Sequence, residues 1–325
     1  MPYIVAFLKY VIYGSTVFFT GELEETVSIT DILALRFLMS FVFMWLLKML
    51  GVFKINFGVK EIVRGGARRT LLPSLFLAAL FEPVLYMLFE TLGISMTTDI
   101  TTAVVISLAP IVSCIAEALI LKEKNTMLQK IFLLVGIVGV VYIAVKTDKS
   151  SGEDSILGII FLLLAIISGS LFSVFSRKSS KAFSAMEITY VSAMLGTVIF
   201  NAVSIVRHII NGDILSYFDP YFDLENIIGF AFLAILSTVV ATGMNNWCLS
   251  KMQVSTMAAF SGVSTLVTIL IGVIFKGEEL YYFHYIGLSL IIIRMVGVSA
   301  ISIRKSRGLI TKKLDTERKE YQGVK

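Results

Sequence analysis

Ten apolar stretches, each long enough to cross a membrane, constrain the fold of this chain more than any other feature. A helix of about 20 residues spans the ~30 Å hydrocarbon core of a bilayer, where backbone polar groups must be satisfied within the helix. Of the 325 residues, 57% are hydrophobic and 16% are charged, whereas soluble domains contain about 25% charged residues. The sequence therefore predicts an all-α integral membrane protein with ten transmembrane helices, at residues 2–20, 29–50, 70–92, 98–121, 126–146, 155–177, 183–206, 226–249, 254–276 and 281–303.

The basic residues of the loops predict the orientation in the membrane. With both termini in the cytoplasm, the cytoplasmic side carries six lysines and arginines in and around the loop after the second stretch, seven around the other loops and eight in the tail. The opposite side carries four. Because cytoplasmic loops are enriched in Lys and Arg, we expect a multi-pass protein of the cell membrane with cytoplasmic termini. The basic residues lie in short loops and a tail, which does not favour nucleic-acid binding.

The chain also repeats itself, at an offset of 155 residues that places Glu123 opposite Glu278. We predict a first five-helix repeat at 1–146, a second at 152–303 and a basic cytoplasmic tail at 304–325. An odd number of crossings per half requires the two repeats to be inverted. Inverted repeats are typical of secondary transporters, which bind solute near the midplane where the repeats meet. We expect both glutamates, which end helices at opposite membrane faces, to be boundary or gate residues.

Four motifs carry a resemblance to a known family. These are YGSTVFF from Tyr13, LALRFLMSF around Arg36, LAPIVSCIAEALILKE at 108–123 and GSLFSVFSRK at 169–178. In order and spacing they resemble the signature stretches of EamA-type transporters of the drug/metabolite transporter superfamily, over residues 3–303. The resemblance implies ten helices in two inverted five-helix repeats that move small solutes without ATP. The chain departs from the family where Trp is common, at Tyr13.

Charged residues within the apolar stretches are the candidates for function. Each costs about 2.5–3.5 kcal/mol at a helix centre, so the deepest ones are expected to line a wet cavity or to pair with one another. Those near helix ends can extend to the interface, and we place Lys9, Glu117 and Glu90 in that group. The six charged residues are Lys9, Arg36, Glu82, Glu90, Glu117 and Arg294.

The third stretch presents three polar side chains on one face. Glu82, Tyr86 and Glu90 are spaced four residues apart, which stacks them along a helix. Pro83 removes a backbone hydrogen bond, so we expect a kink beside Glu82. We predict that these side chains bind solute. The alternative is that they form structural ion pairs, Glu82 with Arg294 and Glu90 with Arg36.

The second stretch and the eighth stretch supply the other candidate ligands. Arg36 could hold a solute carboxylate through paired hydrogen bonds, or it could be a paired or snorkelling structural arginine. The eighth stretch contains three polar or aromatic residues in a row, which suit a polar solute but also suit interhelical hydrogen bonding and interfacial anchoring. The predicted solute-binding set is Tyr13, Arg36, Glu82, Tyr86, Glu90, Asn245, Asn246, Trp247 and Arg294.

The sequence thus predicts a secondary active transporter that exports small organic metabolites such as amino acids by alternating access. Protons are a further predicted partner, because a carboxyl such as Glu82 at mid-membrane is suited to taking up and releasing a proton. The alternatives are an efflux transporter for lipophilic cations and a membrane scaffold subunit. A transporter requires Arg36, Glu82, Tyr86 and Asn246 to converge on one water-accessible space, whereas a scaffold requires only pairs.

The motifs of ATPases, zinc proteases and serine hydrolases are missing from the sequence. The two cysteines, Cys114 and Cys248, have neither disulfide nor metal-ligand spacing, and the two histidines lie at the ends of apolar stretches. We therefore expect no enzymatic activity, no metal and no cofactor. The oligomeric state is predicted to be a monomer or a homodimer.

Overall fold

The computed structural model describes residues 1–54, 66–97, 99–123, 125–147, 155–277 and 280–323. In this part of the chain, ten helices are long and apolar enough to cross a membrane. They confirm the predicted number and, within a few residues, the predicted positions. The helices are α1 Pro2–Glu24, α2 Ile29–Met49, α3 Ala67–Ile94, α4 Thr101–Leu121, α5 Met127–Lys146, α6 Ile156–Ser179, α7 Ala185–Asn211, α8 Leu224–Lys251, α9 Val254–Phe275 and α10 Tyr282–Lys305.

Local sequence signals set the ends of several helices. Ser184 caps α7 in a capping box, in which the Glu187 side chain accepts a hydrogen bond from the Ser184 backbone in return. Gly212 ends the same helix at φ +78°, a left-handed conformation that glycine adopts without a steric cost. A short 3-10 helix, Ile214–Tyr221, then leads into α8. Beyond Lys305 the last helix continues to Gly323.

Four of the ten helices are interrupted, in matching positions of the two halves. In α3 a widened segment, Leu80–Leu85, contains Glu82 at φ −142° and ψ 123°, beside Pro83. This confirms the predicted kink. In α8 the widened segment is Phe232–Ala241. The helix α4 is interrupted at Leu108, and α9 between its segments Val254–Ala259 and Gly262–Lys276. Interrupted helices in pairs are typical of transporters built from inverted repeats.

The two five-helix halves interlock rather than lying side by side. The first helix of each half packs on the third and fourth helices of the other: α1 contacts α8 and α9, and α6 contacts α3 and α4. The pairs α2–α7 and α5–α10 also join the halves. The α5–α10 pair is especially close, because a Cβ atom at Gly139 would lie 2.8 Å from the Gly287 carbonyl oxygen, and the reverse also holds. Such small residues allow membrane helices to approach closely.

The outer surface of the bundle is apolar, as a membrane requires. Large side chains such as Leu119, Val198 and Ile274 are 75%, 62% and 70% exposed. In water, an apolar surface this extensive would be unstable. In a bilayer it faces lipid, so the buried polar groups inside the bundle are the informative ones. Residues 148–154, where the predicted boundary between the repeats falls, lie outside the described residues.

Candidate solute-binding cavity

A cavity of about 1420 Å³ lies inside the bundle, between helices of both halves. Side chains of α1, α2, α3 and α4 from the first half and of α6, α7, α8 and α9 from the second half line it. Its volume is large enough for a small organic solute. The cavity therefore lies where the two halves meet, as the repeat predicted.

Six of the nine predicted solute-binding residues line this cavity, and three do not. Asn246 is fully buried between helices: Ser176 donates to its amide oxygen at 2.7 Å, and its amide nitrogen donates to Thr189 at 2.9 Å. Trp247 packs against an apolar cluster that includes Ala6. Arg294 lies at the α9–α10 contact. The six that line the cavity are Tyr13, Arg36, Glu82, Tyr86, Glu90 and Asn245.

Arg294 is held where α5, α9 and α10 meet. It is 2% exposed and donates to the Ser261 hydroxyl at 3.2 Å. Glycines make room for it, because a Cβ atom at Gly136 would lie 2.0 Å from the arginine Cδ, and one at Gly262 would lie 2.8 Å from Nη2. These contacts fit a packing role at this junction.

The polar face of α3 enters the cavity at the kink. Glu82 is half-buried there and has no hydrogen bond or ion pair among the described residues. One helical turn further on, the Tyr86 hydroxyl donates to Glu90 at 2.6 Å. Neither structural ion pair considered for these acids, with Arg294 or with Arg36, forms in the described part of the chain. The Glu82 carboxyl is therefore available to the cavity contents.

Arg36 crosses from α2 to the widened segment of α8. Its Nε and Nη2 donate to the Thr238 hydroxyl at 3.2 and 3.0 Å, and Nη2 also donates to Ser237 at 3.4 Å. Tyr13 of α1 reaches the residue that follows this segment, through a hydrogen bond with Thr242 at 3.2 Å. The hydroxyl groups of α8 thus tie both helices of the first half to the second half.

Lys9 differs most from its sequence interpretation. We expected it to extend to the interface, yet it is 4% exposed and lines the cavity. Its ammonium group lies 3.6 Å from the ring centroid of Tyr10 and 4.1 Å from that of Tyr13. Glu82 is the acid that interacts with it electrostatically. The spacing of Lys9 and Tyr13, four residues apart on one helix face, was the signal that could have placed it here.

At the end of the cavity where buried residues such as Val254 line it, polar contacts join α4, α6, α8 and α9. Arg177 at the end of α6 binds Glu123 at 2.9 and 3.0 Å, and it also donates to the carbonyl groups of Leu249, in the last turn of α8, and of Met252, which follows α8. Glu117 of α4, predicted to reach the interface, is instead fully buried and accepts from the backbone N–H groups at the start of α9. We call Glu117, Glu123 and Arg177 the gate. Glu278, the second predicted gate residue, lies outside the described residues.

The other end of the cavity reaches the molecular surface. Exposed residues at the ends of α1 and α3, including Glu24 and Ser95, contribute to its lining there. Beside this opening, Asp31 of α2 binds Arg207 and His208 of α7, which joins these two helices. In the neighbouring 3-10 helix, burial and the charge of Asp31 raise the pKa of Tyr217 to about 12.

The fold and the cavity define a class: a multi-pass membrane protein of two five-helix repeats, built around an internal cavity that is lined by apolar and charged side chains and opens at one end. A family model matches both halves, at residues 1–145 and 156–300, and describes an EamA-like transporter family. This chain belongs to the EamA-like transporter family. The family identification from the sequence motifs is thereby confirmed.

Three comparisons illustrate the relationship. The chain is 30% identical over 303 residues to a Bacillus subtilis protein named uncharacterized transporter YcxC, covering 93% of this chain and 94% of that one. It is 25% identical over 213 residues to an uncharacterized transporter of Archaeoglobus fulgidus, covering 64% and 71%. A solved crystal structure matches with a TM-score of 0.68 at 16% identity, covering 93% of this chain and 96% of that chain, and so shares the fold.

Proposed function

We propose that this protein is a secondary active transporter that exports small organic metabolites, such as amino acids, by alternating access. The observation that carries the proposal is the internal cavity at the interface of the two repeats, open at one end. Of the four residues whose convergence we required of a transporter, Arg36, Glu82 and Tyr86 line this cavity, and Asn246 does not. A scaffold requires only paired buried charges, whereas the Glu82 carboxyl has no hydrogen bond or ion pair among the described residues. Solute movement without chemical conversion fits this arrangement.

The charges of the cavity favour a solute that carries both signs. Lys9 and Arg36 contribute two positive groups, and Glu82 and Glu90 contribute two negative groups. A zwitterion can satisfy both kinds, because opposite charges in a low-dielectric cavity attract more strongly than in water. The two cationic side chains make the cavity less suited to a lipophilic cation. Amino acids and related metabolites are therefore the solutes that we favour.

The state of the cavity corresponds to one step of the alternating-access cycle that we propose. If both termini lie in the cytoplasm of the cell, as the loop charges predict, the gate faces the cytoplasm and the cavity opens outward. Alternating access then requires a second state, in which the gate separates and the outer opening closes. The interrupted helices α3, α4, α8 and α9 surround the cavity and supply the flexible points for this change.

Glu82 is the group that we propose for proton coupling. It lies at the break in α3, and its carboxyl has no fixed partner in the described part of the chain. A group that binds solute in one protonation state can couple solute movement to a proton gradient. Export from the cytoplasm would then be driven by protons moving inward.

Metabolite release tests the proposal directly. Wild-type protein, Glu82→Gln and the control Glu22→Gln, which alters an exposed acid outside the cavity, are expressed in a bacterial host at matched membrane levels. We expect the wild type and the control to enrich one or more amino acids in the medium, and Glu82→Gln to abolish most of this enrichment. Equal enrichment by Glu82→Gln would remove the coupling role. No enrichment by any of the three would contradict export.

A further inference from the structure

Lys9 is a buried cation that lacks a hydrogen-bond acceptor. It is 4% exposed, and the structure gives it no hydrogen bond or ion pair among the described residues. The rings of Tyr10 and Tyr13 stabilise its charge through their faces, but they accept none of its three N–H groups as carboxylates would. Because Lys9 lines the cavity, acceptors for the ammonium group can come from the cavity contents.

No neighbouring acid supplies that partner directly. Glu82 interacts electrostatically with Lys9, yet the two groups form no ion pair within 4.0 Å. Glu90 is already hydrogen-bonded to Tyr86. The cavity is therefore lined by an ammonium group and a carboxyl group that have no hydrogen bond or ion pair among the described residues. This cavity is suited to a molecule that carries an anionic group for the first and a cationic group for the second.

Arg36, the residue that the sequence suggests for a solute carboxylate, is engaged elsewhere. The Nε–Nη2 edge of its guanidinium group is the edge that grips a carboxylate with two parallel hydrogen bonds. Here that edge is occupied by the hydroxyl groups of Thr238 and Ser237. Arg36 thus joins α2 to α8, while the lysine on α1 has its donors free.

We propose that Lys9 binds the anionic group of the solute, with the rings of Tyr10 and Tyr13 in contact with its ammonium group, and that Arg36 has a structural role. The ligand class is a small organic solute with a carboxylate or a similar oxyanion. This inference rests on the proposed transport function and adds a specificity-determining residue to it. Glu82 faces the cationic end of the same solute.

The test uses the full-length protein in proteoliposomes loaded with L-leucine, L-phenylalanine and L-threonine. Lys9→Met removes the charge and keeps the length of the side chain, Lys9→Arg keeps the charge, and Lys146→Met is the control at an exposed lysine. We expect Lys9→Met to lower the initial rate of amino acid release about tenfold or more, mainly by raising KM, because it removes a hydrogen bond to a charged group. Lys9→Arg should recover much of the rate, and the control should match the wild type.

A binding measurement on the wild type gives a second readout that needs no variant. Leucine and its analogue without an amino group, 4-methylpentanoate, should raise the thermal midpoint of the purified protein. Isopentylamine, which lacks the carboxylate and keeps only the group that faces Glu82, should raise the midpoint less than 4-methylpentanoate does. If the amine raised the midpoint as much as 4-methylpentanoate or more, Lys9 would not bind the anionic group of the solute.

The outcomes separate the two proposals. Amino acid release by Lys9→Met at the wild-type rate and KM would overturn the role of Lys9 and leave the transport function in place. If the wild type released none of the three amino acids and instead moved the amine, both proposals would fail, and efflux of organic cations would replace them.

Discussion

At the scale of single residues, the cavity separates side chains that hold the protein together from side chains that face the solute. Arg36 and Glu82 are both charged and both line the cavity, but Arg36 bonds to two hydroxyl groups of α8 whereas Glu82 has no partner among the described residues. A charge with fixed partners contributes to assembly, and a charge without them needs solvent or a ligand. The two classes of side chain should therefore respond differently to substitution.

Substitution of Arg36 by lysine tests whether a charged side chain with fixed partners contributes to assembly. Lysine keeps the charge but cannot donate from two atoms of a rigid fork, so Arg36→Lys should lose hydrogen bonds to Thr238 and lower the free energy of unfolding by about 1 kcal/mol. Thermal unfolding in detergent measures the loss. In a double-mutant cycle with Thr238→Val, the two effects should not add, because they remove the same contact. If the two changes in unfolding free energy were fully additive, the hydrogen bonds between Arg36 and Thr238 would contribute nothing to stability.

At the scale of helices, the bundle contains both closely packed helices and interrupted helices. The helices α5 and α10 contact each other backbone to backbone at Gly139 and Gly287. The helices α3 and α8, in contrast, are widened at the level where their side chains enter the cavity. Uninterrupted helices keep their hydrogen bonds and pack rigidly, while interrupted ones expose backbone and can bend. We therefore expect the α5–α10 pair to be a rigid support and the interrupted helices around the cavity to bend.

The α5–α10 support should not tolerate even one added methyl group. In Gly287→Ala the new Cβ would lie 2.3 Å from the Ile143 side chain and 2.8 Å from a backbone oxygen, so the helices must separate. We expect a destabilisation of about 1–3 kcal/mol, measured as a lower thermal midpoint. The control is Gly243→Ala in α8, where the Cβ would meet its nearest atom at 3.5 Å, an ordinary contact. Equal midpoints for the two variants would contradict the close packing.

At the scale of the whole molecule, the sequence predicted the ten helices, the two-repeat fold and six of the residues that line the cavity. These followed from patterns that are local or periodic: apolar length, loop charge and the 155-residue repeat. It did not predict that Lys9 and Glu117 are buried, because the position of a residue along a helix does not show which neighbouring helices cover its side chain. It also did not separate Asn245, which lines the cavity, from Asn246, whose amide is bound by Ser176 and Thr189. Adjacent residues point in different directions on a helix, and only the packing of the other helices decides which one meets the cavity.

If the gate holds one end of the cavity closed, as the proposed transport cycle requires, breaking its contacts should favour the open state. Arg177 can be substituted for this test because it does not line the cavity. Arg177→Gln breaks the ion pair with Glu123 and the hydrogen bonds to the end of α8, while Lys178→Gln is a control one residue away, at a lysine whose side chain has no hydrogen bond or ion pair among the described residues. An ion pair of this exposure contributes about 1 kcal/mol, so the population open at the gate should rise about fivefold. The measurement is maleimide labelling of Ser173→Cys, a cavity residue, from the gate side, in a background where Cys114 and Cys248 are replaced by alanine. Arg177→Gln should label faster and Lys178→Gln should label as the parent does. An unchanged rate for Arg177→Gln would show that the apolar contacts of α4, α6, α8 and α9 hold the closed end without the ion pair.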